Sequence, residues 1–540
     1  MPSRNERILI DVSSGGFPWL TLVVFLPLLG VAAILVVEEA LAKWVALGVS
    51  SLVFLVSLPL WILFDESMPA MQFVESHQWI AAPSINYTVG VDGISLPLVI
   101  LTTLLTPLCV LISWTAIETR VREFMISLLV METATVGVFV ALDFVLFYVF
   151  WETMLIPMYL LIGIWGGPNR VYAAIKFFLY TLAGSVLLLV AIIVLYFYAG
   201  KDSFDILTLS NAEYPAWLQA WLFWAFFAAF AVKVPMFPFH TWLPDAHVEA
   251  PTAGSVMLAS VLLKLGAYGF LRFSLPMLPH ATQQFTSVVL FLSVVAIIYG
   301  AYMAFAQADL KKLIAYSSVS HMGFVTLGIF VLNAQGIEGA ILQMVNHGIT
   351  TGALFLCVGI VYERTHSREI SDNSGLVASM PVYAAFLVIF ALSSVGLPGM
   401  NSFVGEFFVL LGAFLWSKAV ATAAALGVIL AAAYILWMLQ RVIYGTPAQH
   451  MTSKLHDMNW REIGTLAPLA FFVFWIGLYP KPLLDVMHAS VDHLVQKQSK
   501  VMVVGKVSPL PRWEKAEVKV KPMTSDKVSL LSQWERAERR

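Results

Sequence analysis

The chain has 540 residues, 59% of them hydrophobic and 12% charged, with a formal net charge of −2. Soluble globular domains carry about 25% charged residues, so this composition excludes an ordinary soluble fold and points to a membrane protein. The near-zero charge excludes a nucleic-acid surface; Cys109 and Cys357, each alone in an apolar run, supply neither a disulfide framework nor a CxxC metal or iron–sulfur site.

The opening MPSRNERILIDVSSGG lacks the basic start, short apolar core and small-residue cleavage site of a signal peptide. The first apolar run is therefore expected to stay as a membrane helix. Windows of about 20 apolar residues, the length that crosses a bilayer as a helix, fall at roughly 17–38, 41–64, 95–115, 124–143, 144–165, 174–199, 216–238, 250–274, 284–306, 310–331, 338–361, 380–415, 417–443 and 464–486. The expected fold class is thus an all-α polytopic membrane protein of about 14 transmembrane helices.

Two windows are interrupted. AVKVPMFPFHTWLP carries Pro235, Pro238 and Pro244, and SSVGLPGMNSFVGEFF carries Pro398 and Gly399. Proline removes an amide donor and clashes with the preceding turn, so helices 7 and 12 are expected to be discontinuous. Broken helices in matching positions of two halves mark inverted-repeat transporters with a midplane ion site. The expected organisation is N-terminal helices 1–3 over 1–122, a first five-helix repeat (helices 4–8) over 123–275, an inverted second repeat (helices 9–13) over 276–445, a C-terminal transmembrane helix over 446–490 and a polar, aperiodic, disordered tail over 491–540.

Arg120, Arg122, Arg170, Lys311, Lys312, Arg364, Arg368, Arg441, Lys454 and Arg461 gather after odd-numbered helices. By the positive-inside rule those connections are cytoplasmic. The acidic, aromatic 65–95 segment and both termini then face outward.

An ionisable side chain at the bilayer centre costs at least ~2.5 kcal/mol on insertion scales and is rare without a function or a partner. Glu152 in helix 5, Lys233 at the break of helix 7, Lys264 in helix 8, His321 in helix 10, His347 in helix 11 and Glu406 after the break of helix 12 all stand deep in apolar windows. Glu132 in helix 4 is a weaker candidate, and Asp143 reads as interfacial. Each also has a plainer reading, as a snorkelling charge or a structural hydrogen-bonding group. Ser317 and Ser318 precede His321 by one turn; Gln343, His347, Thr350 and Thr351 share one helix face; Asn401 and Ser402 flank the second break. Together they would line a hydrated path at mid-membrane depth. Burial disfavours a charged lysine and a nearby carboxylate favours it, so Glu152 moving relative to Lys233 would switch that lysine between holding and passing a proton. Arginine, which effectively never deprotonates, would not serve. His240, Asp245, His247 and Glu249 crowd the segment HTWLPDAHVEAP, but a loop and helix start account for them and no metal site is expected.

FWETMLIPMYLLIGIWGG and HTWLPDAHVEAPTAGSVMLASVLLKLGAYGF, extended by DLKKLIAYSSVSHMGFV and GLPGMNSFVGEF, resemble the chain M (chain 4) group of antiporter-like membrane subunits of NADH:quinone oxidoreductase, respiratory complex I. The resemblance covers about residues 85–485 and is stronger than that to the related chains L and N or to Mrp-type antiporters. It implies a proton-translocating translocase module in the bacterial cytoplasmic (inner) membrane. Its implied proton-transfer residues are Glu152, Lys233, Lys264, His321, His347 and Glu406. It also implies chain L- and N-like neighbours, no redox centre in this chain, and NADH, flavin, iron–sulfur clusters and quinone bound by partner subunits. The alternatives are a Mrp-type cation/proton antiporter subunit, a membrane-bound hydrogenase subunit, a haem-binding electron carrier using His321 and His347, and a scaffold.

Overall fold

The computed structural model describes residues 16–446 and 455–506, with side chains described through 499. Residues up to Gln498 form one compact unit; of a second, 499–540, only the last helical turns through Lys506 are described. Among the described residues, 13 helices are long and apolar enough to cross a membrane, and two shorter apolar helices complete the broken twelfth element.

In chain order these are α1 (Trp19–Val36), α2 (Ala42–Ile62), α3 (Leu96–Ala116), α4 (Val121–Val140), α5 (Phe144–Trp165), α6 (Arg170–Tyr198), α7a (Ala216–Lys233) with α7b (Trp242–Glu249), α8 (Thr252–Met277), α9 (Pro279–Phe305), α10 (Leu310–Phe330), α11 (Ala334–Thr365), α12a (Pro381–Val395) with α12b (Asn401–Trp416), α13 (Lys418–Val442) and α14 (Trp460–Leu478). A further helix, α15 (Lys481–Lys506), follows. Helix starts are set by short polar side chains satisfying the otherwise unpaired first amides. Asp143 accepts from the amides of Val145 and Leu146, Asp309 from Lys312 and Asn333 from Gly336, while Asn459 and Glu462 form a capping box at α14.

Burial divides the helices by role. The apolar windows of α8 and α11 are wholly buried and that of α10 is 94% buried, whereas α1, α2, α13 and α14 bury 28–39% of theirs. The outer helices present the apolar belt that lipid requires, and the three interior helices are those carrying Lys264, His347 and His321.

Hydrogen bonds knit the connections into two faces. On one, after odd-numbered helices, the Lys43 ammonium donates to the carbonyls of Trp114 (2.7 Å) and Ile117 (3.1 Å), Arg122 donates to Val37 O (2.6 Å), and Arg364 pairs with Glu462 (2.7 Å). This basic face is the one expected from the charge pattern. On the other, the 65–95 segment forms an antiparallel hairpin of β1 (Gln72–Ile80) and β2 (Ile85–Val91), with Gln72 opposite Val91 and His77 opposite Tyr87. Glu75 tethers β1 to the start of α1 by accepting the Leu20 amide at 2.8 Å.

Two sequence expectations change here. The fourteenth helix ends at Leu478 rather than near 486, because Pro480 and Pro482 interrupt the run. Residues 491–506, expected to begin an aperiodic tail, instead continue α15. Its Leu483, Val486, Met487, Val491 and Leu494 are buried at helical spacing, a period hidden in sequence by the intervening His, Asp and Lys. Along the hairpin face α15 is fixed by Ser490, which accepts the Gly93 amide at 3.0 Å, and by His488, 2.7 Å from Glu338. The rest of the expected tail, 507–540, and Lys454 lie outside the described residues.

Asp92 ties this face to the interior. Its Oδ1 accepts the amides of Ile94 and Ser95 at the start of α3 and pairs with Arg272 of α8 at 2.7 Å. Burial opposes ionisation of Asp92, and the Arg272 guanidinium together with the Ser95 and Ile94 amides more than offsets it, holding the carboxyl below its ordinary value. A depressed folded-state pKa adds stability above the unfolded value of about 4 that is lost as pH falls through the folded value. Asp92→Ala strands a buried guanidinium and should cost about 3–5 kcal/mol, read as a lower unfolding temperature in detergent. Arg272→Met added to it should recover part of that loss; an unchanged melting profile in the single variant would contradict the assignment.

Candidate functional site

Both helix breaks lie where the prolines put them. α7a ends at Lys233 and α7b begins at Trp242, whose indole N–H donates to Val232 O (2.9 Å) across the gap. α12a ends at Val395, and Gly396 and Gly399 take φ of +81° and +92° before α12b begins at Asn401. Those left-handed angles are open to glycine at no steric cost. The α11–α12b interface is also built on small residues: a Cβ at Gly405 would lie 2.7 Å from Gln343 Oε1, and one at Gly412 2.5 Å from the Gly336 amide nitrogen. Glu406 is brought against α11 and α10 by this close approach.

Four predicted residues join in one continuous chain. The Lys264 ammonium lies 2.7 Å from His347 Nδ1 and donates to Ala259 O at 2.5 Å. It follows a π-helical turn, Leu258–Leu262, and another spans Phe270–Ser274. Such turns re-aim side chains and concentrate at functional positions. The His347 and His321 rings stand edge to face with centroids 5.9 Å apart. His321 Nδ1 is 2.9 Å from Glu406 Oε1, which also accepts from Gln343 Nε2 at 3.0 Å. Its Nε2 contacts Ser394 Oγ (3.1 Å) and the Tyr434 hydroxyl (3.5 Å). Three of the four ring nitrogens thus already have protein partners, an arrangement unlike a pair of axial haem ligands.

The flanking polar residues divide. Thr350 Oγ1 bonds Ser393 Oγ (2.8 Å) and Asn401 Oδ1 (3.1 Å), and Asn346 Nδ2 donates to Asn401 O (2.7 Å), so these side chains brace the α12 break. Ser317 and Ser318 instead donate to Ile314 O of their own helix, and Ser317 also contacts the Tyr434 hydroxyl.

The other candidates stand apart from this chain. The Lys233 ammonium sits 3.6 Å from Met154 Sδ and 4.9 Å from the Trp151 ring centroid, a cation–π contact. No ion pair between Lys233 and Glu152 occurs among the described residues: Glu152 Oε1 is buried without a hydrogen-bond partner. Trp151 and Met154, neighbours of Glu152 on α5, take the place beside the ammonium that the carboxylate was expected to hold. Lys233 nevertheless lies close to α8, where a Cβ at Gly266 would come within 2.9 Å of its Cβ. Glu132 is fully buried in α4, beside Thr106 and Cys109 of α3.

Sequence reading missed three contributors. Tyr434 and Ser394 lie in plain apolar windows and are recognisable only by their contacts with His321. Lys311 counted as a loop charge, yet it is 7% exposed and donates to Ala250 O just past α7b. It lines a cavity of about 720 Å³ that opens on the basic face, bordered also by Glu249, Glu363, Arg368, His366 and Thr115. Among the described residues, no group of three or more His, Cys, Asp or Glu has a metal-holding arrangement.

Residues 141–431 match the family described as NADH:quinone oxidoreductase/Mrp antiporter, transmembrane, and residues 21–137 match the amino terminus of NADH-ubiquinone oxidoreductase chain 4. The NADH-quinone oxidoreductase subunit M of Rhodobacter capsulatus is 52% identical over 497 residues, covering 88% of this chain and 96% of that protein. Respiratory complex I from Thermus thermophilus contains a chain with a TM-score of 0.82 and 32% identity, covering 89% of this chain and 99% of that one. The Mrp complex from Dietzia sp. shares the fold, with a TM-score of 0.77 and 20% identity over 96% of this chain and 59% of its own. The higher identity, and coverage of nearly the full length of the complex I relatives, decide between these branches: the chain belongs to the subunit M (chain 4) family of NADH:quinone oxidoreductases.

Proposed function

We propose that the chain is the proton-conducting part of a translocase, with Lys264, His347, His321 and Glu406 as its central conduit. The observation that supports this reading is the unbroken sequence of contacts from the Lys264 ammonium to the Glu406 carboxylate, at the centre of the most buried helices. Each member both takes up and releases a proton, and each sits within hydrogen-bond or ring contact of the next.

Lys264 is the central carrier: its ammonium gives a proton to His347 Nδ1, and the imidazole's far nitrogen, free in the structure, gives one onward toward His321. Glu406 receives it beside the break of helix 12. Glu152 and Lys233 form the switch, with the carboxylate drawing the lysine away from Met154 and Trp151 when it swings inward. Glu132 is a lesser protonatable group outside the conduit. NADH, flavin, iron–sulfur clusters and quinone are held by partner subunits, and chain L- and N-like subunits flank this one in the bacterial cytoplasmic membrane, the basic face inward. The 276–445 half repeats the 123–275 half in inverted orientation, so that the two breaks serve opposite faces.

In the assembled enzyme, Glu152→Gln or Lys233→Ala should abolish coupled pumping, measured as protons moved per NADH oxidised in reconstituted vesicles. Normal pumping by an intact complex would refute the switch. Glu406→Gln should slow the transfer by about two orders of magnitude, the range of positioned acid–base groups. Tyr434→Phe, which removes a contact at the hydrogen-bond limit, should cost less than about twofold. Equal effects from the two would place the acid outside the conduit.

A further inference from the structure

The conduit needs a supply of protons from the basic face, and two residues stand between it and the cavity there. Lys311 borders the cavity, and its ammonium donates to Ala250 O at the carbonyl end of α7b. Arg368 donates to Val248 O at the same helix end and pairs with Asp309 at 3.3 Å. Cations at a helix C-terminus satisfy its orphan carbonyls, and Arg368 already does so with a carboxylate partner of its own. Lys311 duplicates that role without one: among the described residues it has no ion pair, and the charged groups that face it are Arg368, Asp309 and Glu249.

On the inner side is His247, one turn before Ala250. It is fully buried, stacked on Phe355 at 4.6 Å, and neither ring nitrogen has a hydrogen-bond partner among the described residues. Leaving a buried donor or acceptor unpaired costs about 1–3 kcal/mol, and such groups call for a reason. The charged groups that act on His247 are Lys311 and Lys264, and His247 in turn acts on His347. A bare imidazole within electrostatic reach of two lysines, one bordering the cavity and one bonded to His347, is suited to a relay.

We propose that Lys311 is the intake residue of the conduit, passing protons from water in the basic-face cavity to His247 and so to Lys264. The inference rests on the proton-conducting reading above. Through intervening water, an N–H bond of the Lys311 ammonium breaks and one forms on a ring nitrogen of His247, the water giving up one proton as it takes up another. The imidazolium releases its other N–H proton toward Lys264, and the neutral Lys311 amine is reprotonated by water in the cavity, whose rim carries Glu249 and Glu363. Lysine is required because it releases its proton when desolvated, whereas arginine does not.

That difference supplies the test. In the assembled complex, Lys311→Arg preserves the cap on Ala250 O and the positive charge but removes the exchangeable proton. Protons moved per NADH should fall to the level of Lys264→Ala, and His247→Gln should match it. If Lys311→Arg pumps normally, Lys311 is only a helix cap and the proposal is overturned. Lys264→Ala is the control for the underlying reading: normal pumping there removes the conduit itself, whereas its loss alongside a normal Lys311→Arg removes the intake step alone. Should the arginine variant fail to assemble, Lys311→Ala offers the cavity to small cations. Methylammonium should restore NADH-driven membrane potential and guanidinium should not. Potential is the readout because permeant amines collapse a pH gradient. Rescue by both or by neither overturns the proposal.

Discussion

Everything in this protein depends on the cost of holding ionisable groups away from water. At least ~2.5 kcal/mol per charged side chain near a membrane centre permits only a few, and they must sit where partners can reach them. The fold meets that constraint by wrapping α8, α10 and α11 completely in other helices. Lys264, His321 and His347 are then addressed only by protein groups and by whatever water the interior admits.

The second requirement is for polar backbone at the same depth, and the breaks supply it. At α12 two left-handed glycines end one half-helix and start the next, which frees Asn401 and Ser393 to bond Thr350 and Asn346 of α11. At α7 the short second half ends in carbonyls that Lys311 of α10 and Arg368 of the α11–α12 connection cap from the other half of the chain. The helix carrying His247 is therefore held by residues about 60 and 120 positions later.

Lys233 lies among soft partners. The ammonium rests on sulfur and an aromatic face, and the carboxylate on the same helix as both forms no ion pair with it, although it is near enough to act on its charge. Soft partners of this kind stabilise a cation less than a carboxylate does. They suit the exchange of partners proposed for this lysine.

The sequence by itself determined the class of protein, the place of most of its membrane helices, both breaks and the six deep ionisable residues. Those features follow from local rules: helix length against bilayer thickness, proline against the amide ladder, and the desolvation cost of a charge. It also carried the family, through motifs that lie on those same helices. Tertiary structure alone decided which of the six touch. His321 meets Glu406 across 85 positions and Lys264 meets His347 across 83, separations for which local periodicity holds no information. It likewise turned Lys311 from a counted surface charge into a buried cap, made a hairpin of the 65–95 loop and drew α15 along the hairpin face. In each case the deciding contact came from an element distant in the chain, and burial against that element, not composition, fixed what the residue does.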